Sequence, residues 1–223
     1  MFQKKGKKIL IYLFFFLFLG TINNYTFFNS QLFKIKNFQI IGLENNYKTE
    51  LENNLLGTES NIFFINKNYL ISILNSNTLI ETFQVFKIYP SSLDIKIKKT
   101  NFLARLNING DIFLIGSNGK LIKDFTLSNS EMLPFIFGNP KEEEFLKIFS
   151  IISASDFNYK NVKNLFFYKS GRIDIELKDN ILIKLPLDNL ENVFNNISQL
   201  ISNNQFNKKI IDARVPDQII LYD

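Results

Sequence analysis

The chain has no cysteine, no histidine and no tryptophan in its 223 residues. Without cysteine there are no disulfides, no thiolate nucleophile and no Cys-based metal site. That absence suits an oxidising compartment, where an unpaired thiol is a liability. Without histidine the usual general base at neutral pH and the commonest zinc ligand are gone. Excess charge is scarce as well: 26 Lys+Arg against 21 Asp+Glu leave +5. Lys4, Lys5, Lys7 and Lys8 crowd the N-terminus, and the remainder is nearly balanced, which argues against a nucleic-acid-binding face. There is no Gly-rich phosphate loop and no G-x-S-x-G elbow. Serines without a histidine or a well-placed lysine make poor nucleophiles. The acidic run Glu142-Glu143-Glu144 reads as the solvated first turn of a helix, where the macrodipole favours negative charge. We expect no catalytic, cofactor-binding or metal-ligating residues and no small-molecule substrate.

What is present begins with a short apolar run. Ile9 to Ile22 follows the lysines and carries few polar side chains. Fourteen residues cover only ~21 Å of a hydrocarbon core of ~30 Å. Tyr25, Phe27 and Phe28 extend it at the outer interface, where aromatic rings settle. No Ala-x-Ala cleavage pattern follows, so an anchor over 9–28 is favoured over a cleaved signal peptide. The lysines orient it, leaving a basic tail (1–8) in the cytoplasm and the rest exported.

Downstream, Phe33 to Ile40 alternates with a change of parity at Asn37, which predicts a bulged strand closed by Gly42. Tyr47, Leu51 and Leu55 recur every four residues and predict a helix ending near Gly57. Asn66 precedes a second helix with Leu70, Ile73 and Leu74 on one face. Strands follow at Phe83–Tyr89 and, after Pro90-Ser91-Ser92, at Leu93, Ile95 and Ile97, which alternate with charged residues. The order is strand, helix, helix, strand, strand. Beyond Thr100 the pattern changes to short strands at Ala104–Ile108, Ile112–Ile115, Lys120–Lys123, Val162–Tyr168, Arg172–Leu177, Ile181–Leu185, Lys209–Asp212 and Gln218–Tyr222. A helix over Lys141–Ser155 turns Phe145, Ile148, Phe149 and Ile152 inward. A last helix starts at a capping box of Asp188 with Glu191, followed by the apolar stripe Leu190, Val193, Phe194, Ile197, Leu200 and Ile201. The fold class is α+β: one N-terminal transmembrane helix, a βααββ module, then a mixed β-domain with two helices.

Seven motifs in order carry a resemblance. They are Phe38-Gln39-Ile40-Ile41-Gly42, Asn61-Ile62-Phe63-Phe64-Ile65, Ile88-Tyr89-Pro90-Ser91-Ser92-Leu93-Asp94-Ile95, Asn118-Gly119-Lys120-Leu121-Ile122, Leu133-Pro134 with Gly138, Gly171-Arg172-Ile173-Asp174-Ile175, and Ile211-Asp212-Ala213-Arg214-Val215-Pro216-Asp217. Together they resemble the FtsQ/DivIB family of bacterial cell-division proteins over nearly the whole chain. Lys99, Phe102, Gly116, Ile173 and Pro186 depart from the family's usual residues without disturbing the order. The resemblance implies a POTRA domain over 32–99 and an FtsQ-type β-domain over 100–223.

It further implies a non-enzymatic divisome scaffold at the septum of the inner membrane, single-pass, with its C-terminus periplasmic. Such a protein links early cytoplasmic division proteins to late septal peptidoglycan-synthesis proteins. Its expected partners are FtsB and FtsL-like proteins and other divisome members. The final segment Gln218, Ile219, Ile220, Leu221 and Tyr222, apolar on both faces over much of its length, would be covered by the core on one side and receive a partner strand at its edge. Arg172, Arg214 and Val215 match positions beside that site, and the two arginines would meet acidic partner residues. Two other readings compete. One is a POTRA-containing protein of outer-membrane assembly or secretion, which would carry several POTRA repeats and a barrel. The other is a membrane-anchored extracytoplasmic hydrolase, which would need a convergent acid/base pair.

Overall fold

Period-two burial is clearest where Leu93, Ile95 and Ile97 point inward from a strand whose other face carries lysines, and the computed structural model buries all three. It describes residues 3–22, 30–56, 61–123, 133–202, 208–215 and 218–223. The chain divides into two compact units, Met1–Lys99 and Thr100–Asp223.

The first unit opens with α1 (Gln3–Ile22). Ile9 to Leu19 are apolar and each more than half exposed. Among the described residues no helix is long and apolar enough to cross a membrane, because the lysines occupy the first turns of α1. The expected outer extension at Tyr25, Phe27 and Phe28 lies outside the described residues, as does Gly57.

Next come β1 (Asn37–Ile41), α2 (Asn45–Leu56), α3 (Lys67–Ser76), β2 (Ile80–Ile88) and β3 (Ser92–Lys99). The sheet order is β1-β3-β2, with β1 parallel and β2 antiparallel to the central β3. Ile40 sits opposite Ile95, and both face Leu51, Leu55, Leu70 and Leu74 of the two helices in one apolar cluster. Asn66 caps α3 by accepting the Tyr69 N–H at 3.2 Å, which relieves one orphan donor of the first turn. Gly42 ends β1 at φ +104, and a Cβ there would collide with the Ile97 carbonyl oxygen. Regular strand pairing starts at Asn37 rather than Phe33. The preceding residues are held instead by a bridge from Lys34 to Asn61 and by the Lys36 N–H donating to the Ser91 carbonyl at 2.9 Å.

The second unit contains β4 (Phe102–Ile108), β5 (Asp111–Gly116), β6 (Leu121–Ile122), β7 (Phe135–Phe137), α4 (Glu142–Ala154), β8 (Val162–Phe167), β9 (Ile173–Leu177), β10 (Leu182–Lys184), α5 (Leu190–Ser202), β11 (Ile210–Asp212) and β12 (Ile220–Tyr222). Its described strands form one sheet in the order β12-β11-β10-β9-β8-β7-β4-β5-β6. The hairpins are antiparallel, whereas β7 runs parallel to β4 and β8, and β10 parallel to β11. Parallel neighbours need a crossover connection, and α4 and α5 supply two of them. Phe145, Ile148 and Ile152 of α4 and Leu190, Phe194 and Ile197 of α5 are buried with Leu165, Ile175, Ile183 and Ile211 of the sheet.

One helix start differs from the sequence reading, and one cap was not foreseen. Helix α5 starts at Leu190, behind Asn189, whose carbonyl accepts the Val193 N–H at 3.3 Å. The N-cap position therefore falls one residue after Asp188. In α4, Glu144 accepts the Lys141 backbone N–H at 3.2 Å. One carboxylate of the acidic run is thus a structural cap, as the helix N-terminus favours.

Candidate partner-binding site

Strands β9, β10, β11 and β12 lie side by side at one end of the sheet. Register places Asp174, Lys184, Asp212 and Ile220 in one row across them. Cross-strand neighbours share a face, so the row alternates negative, positive, negative and apolar. Strands β9 and β11 run in opposite directions, because β10 is antiparallel to the first and parallel to the second. Arg172, just before β9, and Arg214, just after β11, therefore reach the same end of the sheet. The structure brings both predicted arginines together, with Lys184 between them.

Each arginine already has a carboxylate. Arg214 grips Asp212 through two bonds, Nε to Oδ1 at 2.8 Å and a terminal nitrogen to Oδ2 at 2.6 Å. The Arg214 backbone N–H adds a third at 3.2 Å. Asp212 is 4% exposed. The Arg214 guanidinium holds its carboxyl below the ordinary carboxylate value, opposed by burial and helped by Lys184. The same pairing raises Arg214. Arg172 lies 3.3 Å from Asp174 Oδ1, a charge contact without an aligned hydrogen bond. Its guanidinium stacks 3.9 Å over the Tyr168 ring, a geometry a planar guanidinium favours.

The carboxylates Asp174 and Asp212 and the central Lys184 were not singled out from the sequence. A usable signal was there, since Arg172-Ile-Asp174 and Asp212-Ala-Arg214 are both i, i+2 charge pairs, the spacing that puts two strand residues on one face.

Strand β12 pairs with β11 alone: Tyr222 opposite Ile210, Leu221 opposite Ile211, Ile220 opposite Asp212. Among the described residues no strand lies on its outer side. Ile220, Leu221 and Tyr222 are each more than a third exposed. The core covers neither face of the strand, contrary to the expectation of one covered side. In this segment Ile219 makes the core contact instead. Val215 is exposed, and its carbonyl accepts the Gln218 N–H at 3.2 Å. Pro216 and Asp217 lie outside the described residues. A groove of about 800 Å³ separates this segment from α5; Val193, Leu200, Val215 and Ile219 are among its apolar walls, with Asn192 and Asn196 on α5 adding amides.

Residues 104–214 match the family profile described as Cell division protein FtsQ/DivIB, C-terminal. The chain belongs to the FtsQ/DivIB family. It is 22% identical over 165 residues to Cell division protein FtsQ of Bradyrhizobium diazoefficiens, covering 73% of this chain and 48% of that protein. It is 29% identical over 140 residues to Cell division protein DivIB of Clostridium botulinum, covering 60% and 55%. The chain thus spans about half the length of these curated relatives. A solved extracytoplasmic domain of DivIB from Geobacillus stearothermophilus aligns at 10% identity with a TM-score of 0.32, covering 48% of this chain and 88% of that one.

Proposed function

We propose that this FtsQ/DivIB family chain is a non-enzymatic scaffold of the cell-division machinery, anchored in the cytoplasmic membrane through α1 and the residues that follow it. In this reading the βααββ unit is a POTRA module that directs the protein to the septum. The second unit captures FtsB and, with it, FtsL-like proteins. The observation that carries the proposal is the outer edge of β12, open among the described residues and exposed on both faces beside a groove with mixed polar and apolar walls. An unpaired edge offers its N–H and C=O groups to an incoming strand, and strand addition is a recurrent mode of peptide capture.

The charge row beside it carries three cations, Arg172, Lys184 and Arg214, against two buried carboxylates, Asp174 and Asp212, a surplus of one positive charge. An acidic partner segment would meet that surplus rather than two uncommitted arginines. Replacing Ile220 by Pro removes one ladder donor, and deleting Ile219–Asp223 removes the edge. Either change should abolish capture of the exported FtsB segment in a pull-down while leaving septal arrival intact. Arg172→Gln should weaken capture in a salt-dependent way. It is a cleaner probe than Arg172→Glu, which would set two carboxylates together at Asp174. Full FtsB capture by the truncated protein would overturn the site.

A further inference from the structure

A second exposed surface lies within the first unit, on residues other than those proposed to bind FtsB. Three short segments meet there. The Ile62 N–H donates to the Phe33 carbonyl at 2.9 Å, and the Lys36 N–H donates to the Ser91 carbonyl at 2.9 Å. Phe63 then sits between two rings, Phe33 at 5.1 Å and Tyr89 at 5.2 Å. The result is an aromatic ledge with unusual exposure: Leu32 63%, Phe64 61%, Tyr89 57% and Phe63 38%. Burial of such side chains is favourable in almost any protein, and large exposed apolar patches mark contact sites.

The described segments that build the ledge carry basic side chains. The segments 30–36, 61–67 and 87–92 hold Lys34, Lys36, Lys67 and Lys87 and no Asp or Glu. Position in the chain adds the third observation. Ile22, the last residue of α1, and Ser30 are eight residues apart. Eight residues span at most ~29 Å whatever course they take. Ser30 is itself part of the ledge's base, its carbonyl accepting the Phe33 N–H at 3.1 Å.

We propose that this ledge is a membrane foot: Phe63, Phe64 and Tyr89 rest in the outer headgroup region, and the four lysines meet anionic lipid phosphates. Aromatic rings partition to that depth, and basic residues near an anionic surface are attracted to it within a Debye length. The foot would hold the first unit against the bilayer instead of letting it swing on its tether. This proposal rests on α1 being the anchor, so its test separates the two.

The chain has no tryptophan, so single replacements report local depth. Full-length Phe64→Trp, Phe16→Trp and Ser76→Trp proteins are reconstituted in phosphatidylcholine–phosphatidylglycerol vesicles, with or without lipid brominated high on the acyl chain. Ser76 lies at the far end of α3 from the ledge, and Phe16 lies in α1. We expect blue-shifted, bromine-quenched emission from Phe64→Trp and unquenched emission from Ser76→Trp. The Phe64→Trp quenching should weaken when Lys34 and Lys36 are changed to Glu. Absence of quenching in Phe64→Trp overturns the foot, and so does equal quenching in Ser76→Trp, which means general adsorption. A blue shift without quenching that grows with protein density assigns the ledge to a second copy and also overturns it. Quenching of Phe16→Trp reports the anchor separately, so its failure is distinguishable from failure of the foot.

Discussion

Asp212 shows how one side chain ties local chemistry to stability. Its carboxyl is buried, and its charge is tolerated because Arg214 brackets it. Arg214 lowers the folded-state value, so the pairing contributes fully above the ordinary carboxylate range near ~4. That contribution drains away as pH falls from there toward the lowered folded value. Removing the guanidinium leaves a buried, unpaired carboxylate beside Lys184, with Asp174 and Tyr222 also near Arg214. Arg214→Gln should therefore lower Tm at neutral pH, and the gap to the parent should narrow below about pH 4. Parallel melting curves down to pH 2 would show that the pair carries no pH-dependent stability. Ile95 supplies a second residue-scale test. It is 0% exposed at the centre of its unit's core, so Ile95→Asp buries an uncompensated charge and should cost on the order of 4 kcal/mol or unfold the unit. Asp94, one residue away on the other face, is half-buried with its Oδ1 unbonded, so Asp94→Asn breaks no hydrogen bond at that atom and should stay within about 0.5 kcal/mol. Urea titrations of the two variants decide it; equal losses would contradict the register.

At the scale of elements, two strand ends share one device. Gly42 closes β1 and Gly138 closes β7, each with positive φ, and in each case a Cβ would strike a neighbouring carbonyl, that of Ile97 or Phe167. Both strands run parallel to a neighbour, β1 beside β3 and β7 beside β8. The chain must leave the sheet sharply there to enter a helix. Gly138→Ala combines left-handed strain with a backbone clash and should cost at least ~2 kcal/mol, seen as a lower urea midpoint. Gly110, also at positive φ but with open space around its Cβ position, should tolerate Ala with the strain alone. An equal loss at Gly110 would mean that the clash adds nothing. Strand β12 is the opposite kind of element: three exposed residues on one partner. Its deletion should leave the melting of the second unit nearly unchanged.

For the molecule as a whole, two units with separate cores allow the two proposed roles to be tested apart. Ile95→Asp should prevent arrival at the septum, as imaged with a fluorescent fusion, while the protein still captures FtsB in extracts. Loss of both together would argue that the units fold as one. A reporter fused after Ser30 should be active only when it is of the type that works outside the cytoplasm. Recovery of a soluble product beginning near Tyr25 would instead favour cleavage.

Much of this architecture was legible along the chain. Strand alternation at Leu93, Ile95 and Ile97, the Asn66 cap and the inward stripes of α4 and α5 are local consequences of periods two and 3.6 acting on apolar spacing. The scarcity of reactive side chains and the ordered motifs likewise belong to the sequence, and they sufficed to point to the family. Pairing did not. That β7 lies between β4 and β8, or that β11 returns parallel to β10, depends on crossovers bringing distant segments together, which no local period encodes. The candidate site divides the same way. Arg172, Arg214 and the last strand were readable as residues, but their neutralisation by Asp174 and Asp212, the placing of Lys184 between them and the exposure of both faces of β12 were decided by strand direction and register. The same holds for the aromatic ledge, where residues separated by tens of positions meet because the Phe33 carbonyl and the Ser91 carbonyl each accept a backbone N–H from another segment.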